Sequence, residues 1–112
     1  MIKGAFTRNQ AGVIVSFELS GHAQSGEYGH DIVCAAVSAL AISTVNGLDA
    51  LAGYEPIVDV DEDEGGYLYV EILSGLTQEQ VNISQILLEN LLLGLQAIEA
   101  ENEQAIQLQT NL

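Results

Sequence analysis

Between Gln78 and Ala100 the sequence places Val81, Ile83, Ile86, Leu87, Leu88, Leu91, Leu92, Leu93, Leu95 and Ile98. At helical spacing these side chains run nearly around the circumference, although Gln85, Glu89, Asn90 and Gln96 leave a polar edge. An ordinary surface helix carries one apolar stripe toward one core. A helix wrapped this fully needs cover on more than one side. That cover comes either from a large core contact within the chain or from a second copy, and a homodimer is the simplest form of the latter.

The rest of the chain must supply the first layer of cover, and its hydrophobic periods say how. Ile2 to Thr7 and Val13 to Ser20 read as strands joined by the turn-forming Arg8-Asn9-Gln10-Ala11-Gly12. In the second, Val13, Val15, Phe17 and Leu19 are expected on one face, with Ser16, Glu18 and Ser20 on the other. Asp31 is placed to cap a helix running to about Ala52, with Gly53 suited to its C-terminal stop and Pro56 barring continuation. Its core stripe is expected to be Val33, Val37, Leu40, Thr44, Leu48 and Leu51, flanked by alanines that permit close approach of a neighbouring backbone. Ile57 to Val60 and Tyr67 to Leu73 read as two further strands around the acidic turn Asp61 to Gly66. Ala105 to Thr110 reads as a last strand after the leucine-rich helix. The order strand-strand-helix-strand-strand-helix-strand predicts an α+β fold with a mostly antiparallel sheet, in one domain over residues 1–112.

Charge restricts the partners. Lys3 and Arg8 stand against sixteen acidic residues, for a formal net charge of -14. Such a surface repels nucleic-acid phosphates and anionic membranes, so no direct binding to either is expected, whereas a basic protein would be attracted. No apolar run in the sequence approaches the length of a membrane span, and Met1 to Gln10 lacks the apolar centre of a secretory signal. A single cysteine forms no intrachain disulfide, and the expected compartment is the cytoplasm.

The reactive side chains are concentrated between Gly21 and Ser38, which hold both histidines and the only cysteine. With Asp31 as cap, Cys34 would be the third helical residue, close to unpaired amides and a dipole end that favour thiolate. The intervening Gly26 and Gly29 would let the loop fold back and bring His22 to Cys34, giving the minimal pair for acyl transfer. Ser38, one turn beyond Cys34, would face the same site or bond back to its own helix. Other readings of the same residues stay open. Free cysteine in an alanine-rich helix is often only a small buried hydrophobe. His22, His30, Cys34 and Asp31 form a conceivable zinc set, but their spacing matches no common finger or ribbon. Asp59, Asp61 and Asp63 have the start of a calcium loop, yet the glycine comes one position late and Val70 stands where the bidentate glutamate belongs. No metal or cofactor is therefore expected.

The run Gly21-His22-Ala23, then Gly26 and Gly29, then Asp31-Ile32-Val33-Cys34-Ala35-Ala36-Val37-Ser38 closely resembles the signature of the ribosomal-processing cysteine protease family, Prp. The resemblance extends to chain length and element order. It implies a homodimeric cysteine endopeptidase that removes an N-terminal extension from the twenty-seventh protein of the large ribosomal subunit. It further implies Cys34 as nucleophile, His22 as its base, Asp31 and Ser38 in support, and Gly21 as a hinge of a mobile loop; the freedom of Gly21, Gly26 and Gly29 would by itself let that loop close over a peptide. The alternative from another class is a noncatalytic acidic dimeric module that binds a basic ribosomal protein, for which the thiol is dispensable.

Overall fold

The computed structural model describes residues 1–21, 28–61 and 66–111, with the backbone alone for 28–31. Seven elements follow in the expected order: β1 (Ile2–Arg8), β2 (Ile14–Ser20), α1 (Tyr28–Ala52), β3 (Ile57–Asp61), β4 (Tyr67–Glu71), α2 (Gln78–Glu101) and β5 (Ile106–Asn111). The strands form one sheet in the order β3-β4-β2-β1-β5, antiparallel throughout except where β5 runs parallel to β1. The fold is therefore α+β with a mostly antiparallel sheet. Helix α1 carries the chain from β2 to the β3 edge, and α2 carries it from β4 across to β5.

Register assigns each side chain to a face. Leu108, Gly4, Leu19, Leu68 and Val60 make one row across the sheet, and Phe6, Phe17, Val70 and Val58 belong to the next. These rows meet the helices in a single core, in which the Phe6 and Phe17 rings stack with centroids 5.5 Å apart. The opposite face is polar: Gln109, Ala5, Glu18, Tyr69 and Asp59 form one of its rows. There Tyr67 donates to Glu18 at 3.1 Å and Tyr69 donates to Glu71.

The simple alternation expected for β2 fails at its start. Thr7 pairs with Ser16 but Arg8 pairs with Ile14, so Val15 is an extra residue in a β-bulge. A bulge shifts all residues before it to the other face. Ile14, not Val13 or Val15, therefore enters the core and is fully buried.

The α1 stripe is also turned from expectation. Val33, Val37, Ala41, Thr44, Leu48 and Ala52 are buried, while Leu40 and Leu51 lie at the stripe's exposed edge. Glycines permit close approach of the helices: Gly47 lies beneath Leu87, and Gly94 beneath Leu40. Helix α1 ends as the sequence predicts, with Gly53 at φ 78 and Tyr54 N–H reaching back to the Leu48 carbonyl at 3.5 Å.

Helix α2 begins with a capping box in which Gln80 N–H donates to Thr77 Oγ1 and Thr77 N–H donates to Gln80 Oε1. The Gln80 amide also donates to the Ala52 carbonyl at 3.1 Å, joining the start of α2 to the end of α1. By length and mean hydropathy both helices would pass as membrane spans, at 1.6 for Ile32–Ala52 and 1.3 for Gln78–Glu101. This corrects the expectation drawn from uninterrupted apolar runs, because small and polar residues interleave without lowering the average enough. Both helices nevertheless contribute their stripes to the core of the sheet.

Candidate functional site

Between the N-terminal half of α1 and the inner face of the sheet lies a cavity of about 510 Å³. Its helical wall is Cys34, Val37, Ser38, Ala41 and Ile42, and its sheet wall includes Ile2, Leu19, Val60 and Leu68. The helical wall follows from spacing: residues 34, 38 and 41 or 42 repeat on one side of an α-helix. The sheet wall follows from register, since Leu19, Leu68 and Val60 are neighbours in one inner row. A smaller depression of about 200 Å³ on the polar face, edged by Lys3, Glu18, Gln107 and Gln109, contains no nucleophile of comparable reactivity.

Cys34 is half-buried at the cavity surface, with Ser38 one helical turn further along the same wall. An apolar chamber with a thiol in its wall suits covalent attack on an extended ligand whose side chain fills the chamber. The helix, however, begins earlier than the sequence reading placed it. Tyr28, Gly29, His30 and Asp31 form its first turn, so Asp31 lies inside α1 instead of capping it. The amides without helical partners belong to that first turn. Cys34 is already the seventh helical residue, beyond the turn over which the dipole acts strongly. The helix end thus lies further from Cys34 along the chain than the sequence reading placed it.

Gly21 closes β2 at φ 82 and its N–H donates to the Gly66 carbonyl at 3.1 Å. A Cβ there would stand 2.4 Å from the Met1 carbonyl oxygen, so glycine is required by both dihedral and space. Gly21 also lines the cavity, as does Gly66. His22 and Gly26 lie outside the described residues, and so does most of the acidic turn that holds Asp63. Gly29 is in the first turn of α1. The side chains of His30 and Asp31 fall outside the description, and no cluster of three potential metal ligands occurs among the described residues.

Of the polar face, Asp61 and Tyr67 reach the rim of the chamber, while Glu18, Asp59 and Glu71 do not line it. The Tyr67 phenol is held above its ordinary range by loss of solvent and by Glu18, and that of Tyr69 by its hydrogen bond to Glu71. The residues that sequence reasoning missed are those of the sheet wall, above all Val60, Asp61 and Leu68. One signal was present: β3 is apolar at Ile57, Val58 and Val60, yet all three remain exposed.

The model of one family, described as cysteine protease Prp, matches residues 1–107. The chain belongs to the cysteine protease Prp family. It is accordingly an enzyme of the cysteine protease class, with Cys34 its only cysteine. Among Prp relatives, the ribosomal processing cysteine protease Prp of Bacillus subtilis is 38% identical over 112 residues, covering 100% of this chain and 99% of its own. A solved Streptococcus mutans protein, SMU.848, is 39% identical with a TM-score of 0.89, covering 100% of this chain and 96% of its own. An essential ribosomal processing protease Prp from Staphylococcus aureus, solved with a covalently linked product peptide, is 33% identical with a TM-score of 0.82. That match covers 98% of this chain and 99% of the Prp chain.

Proposed function

We propose that this chain is a cytoplasmic endopeptidase that removes the N-terminal extension of the twenty-seventh protein of the large ribosomal subunit. The observation that carries the reading is the position of Cys34 in the wall of an apolar chamber, in a chain matched almost end to end by relatives named for ribosomal processing. In this reading His22 takes the thiol proton and Cys34 Sγ adds to the scissile carbonyl carbon. The C–N bond then breaks and the His22 imidazolium protonates the departing amine. Water, deprotonated by His22, cleaves the thioester and restores the thiol. Asp31 and Ser38 support the pair, and Gly21 and Gly26 act as hinges of the segment that carries His22, whereas Gly29 belongs to α1. A net charge of -14 favours encounter with a basic client.

The working unit in this proposal is a homodimer. Helix α2 leaves Ile86 and Leu93 70% and 65% exposed, and α1 leaves Ile32, Ile42 and Leu51 more than half exposed. One chain alone thus fails to cover the apolar circumference that the sequence builds.

The test is incubation with the extended ribosomal protein, followed by mass analysis of the products. Shortening by the wild type and none by Cys34→Ala is the expected result. Cleavage by both would remove Cys34 from the mechanism. Binding by both without cleavage would favour the noncatalytic module.

A further inference from the structure

We propose that the substrate segment binds as an added strand along the outer edge of β3. The inference rests on the peptidase reading above and says how that site recognises its peptide. Among the described residues β3 pairs only with β4, and no described strand lies along the outer side of Ile57 to Val60. Exposed edges in soluble proteins are ordinarily blunted by short length, charged side chains, proline or a bulge. The five-residue Ile57–Asp61 has no lysine, proline or bulge, and its only charges, Asp59 and Asp61, turn away an acidic strand while admitting a neutral or basic one. It exposes Ile57, Val58 and Val60 at 48%, 42% and 54%. Such an edge is a template for an incoming strand, with main-chain hydrogen bonds giving affinity and alternate side chains giving specificity.

The edge leads into the chamber that holds the nucleophile. Val60 and Asp61, at its end, line the same cavity as Cys34 and Ser38. This continuity identifies the occupant as the peptide to be cut. Register then sets the pattern that the peptide must satisfy. Side chains beside Val58 and Val60 extend the inner rows toward the helices and the chamber, so apolar groups fit there. Side chains between them extend the polar face beside Asp59 and Asp61, where polar or basic groups are accepted and acidic ones rejected. The recognised segment is therefore an extended one with apolar residues at every second position.

The experiment uses a synthetic peptide spanning the processing site of the extended ribosomal protein, methylated on one backbone nitrogen at a time. With wild-type enzyme, kcat/KM is expected to fall at least tenfold for methylation at every second position and to change little in between. Hydrogen exchange on Cys34→Ala is expected to show alternate amides of residues 57–61 slowing when the unmodified peptide binds. If the unmodified peptide is cut but neither alternation nor slowing occurs, the edge is not the binding site while the peptidase reading stands. If the unmodified peptide is not cut, the peptidase reading falls and takes this inference with it. Slowing at β3 that tracks protein concentration without peptide would show a second copy on the edge and overturn the proposal.

Discussion

The side-chain amide of Gln85 pairs with both backbone groups of Ile14, accepting from its N–H at 2.7 Å and donating to its carbonyl at 2.9 Å. A residue on the polar edge of α2 thus acts as a one-residue strand partner for Ile14, beyond Ser16 where the pairing of β2 with β4 stops. Replacing it with alanine leaves two partly buried backbone groups without these bonds, each bond contributing about 1 kcal/mol. Gln85→Ala is expected to lower unfolding free energy by about 2 kcal/mol in urea titrations. Gln85→Glu, which keeps an acceptor and loses the donor, should not recover the full amount.

One turn further along α2, Glu89 receives both terminal nitrogens of Arg8, at 2.6 and 2.9 Å. The Arg8 hydrogen bonds hold the Glu89 carboxyl below its ordinary value of 4.5, more than its loss of solvent raises it. Because the folded pKa is depressed, the associated stability is fully present above about pH 4.5. It disappears as pH falls through the lower folded value. With side chains 26% and 43% exposed, solvent screening limits the pair to about 0.5–1 kcal/mol. Unfolding curves of wild type and Glu89→Gln should differ by that amount at neutral pH and converge as the pH is lowered below 4.5 and the Glu89 carboxyl takes up its proton.

Gly21→Ala forces a side chain into positive φ and sets its Cβ against the Met1 backbone. A loss of about 1–3 kcal/mol is expected from thermal unfolding, since backbone rather than a flexible side chain must move. Cleavage of the ribosomal protein should weaken as well, because Gly21 lines the chamber and leads directly to His22.

Gly94→Ala should act in the opposite direction. Its Cβ would meet only the Leu40 Cδ1 atom, at 3.1 Å, and Leu40 is exposed enough to turn aside. Helical alanine is favoured over glycine by up to about 1 kcal/mol. A gain of about 0.5 kcal/mol in chemical denaturation is expected, with cleavage unchanged.

The order of elements was legible because each carries its own hydrophobic period, and Gly53 and Pro56 mark the end of α1 unmistakably. Three things were not. Val13 and Val15 are as apolar as Ile14, so composition alone concealed the bulge that puts Ile14 inside. Gln85 looked like a solvated helix residue because its partner lies 71 positions away. The helical half of the chamber follows from the spacing of Cys34 and Ser38, but its other half depends on strand order. Nothing local to Val60 or Leu68 announces that β3 and β4 will lie beneath α1.

The parallel pairing of β5 with β1 sets Ile106 beside Ile2, and Ile2 N–H donates to the Ala105 carbonyl at 2.8 Å. The second edge of β1 is thus satisfied only by a strand about a hundred residues further along the chain. During translation β1 and β2 emerge as a hairpin, but the sheet stays open beside β1 until residues 106–111 have left the tunnel. Completion of the sheet therefore depends on the pairing that spans the most chain, between Ile2 and Ile106, which closes late because contacts of such long sequence separation form slowly.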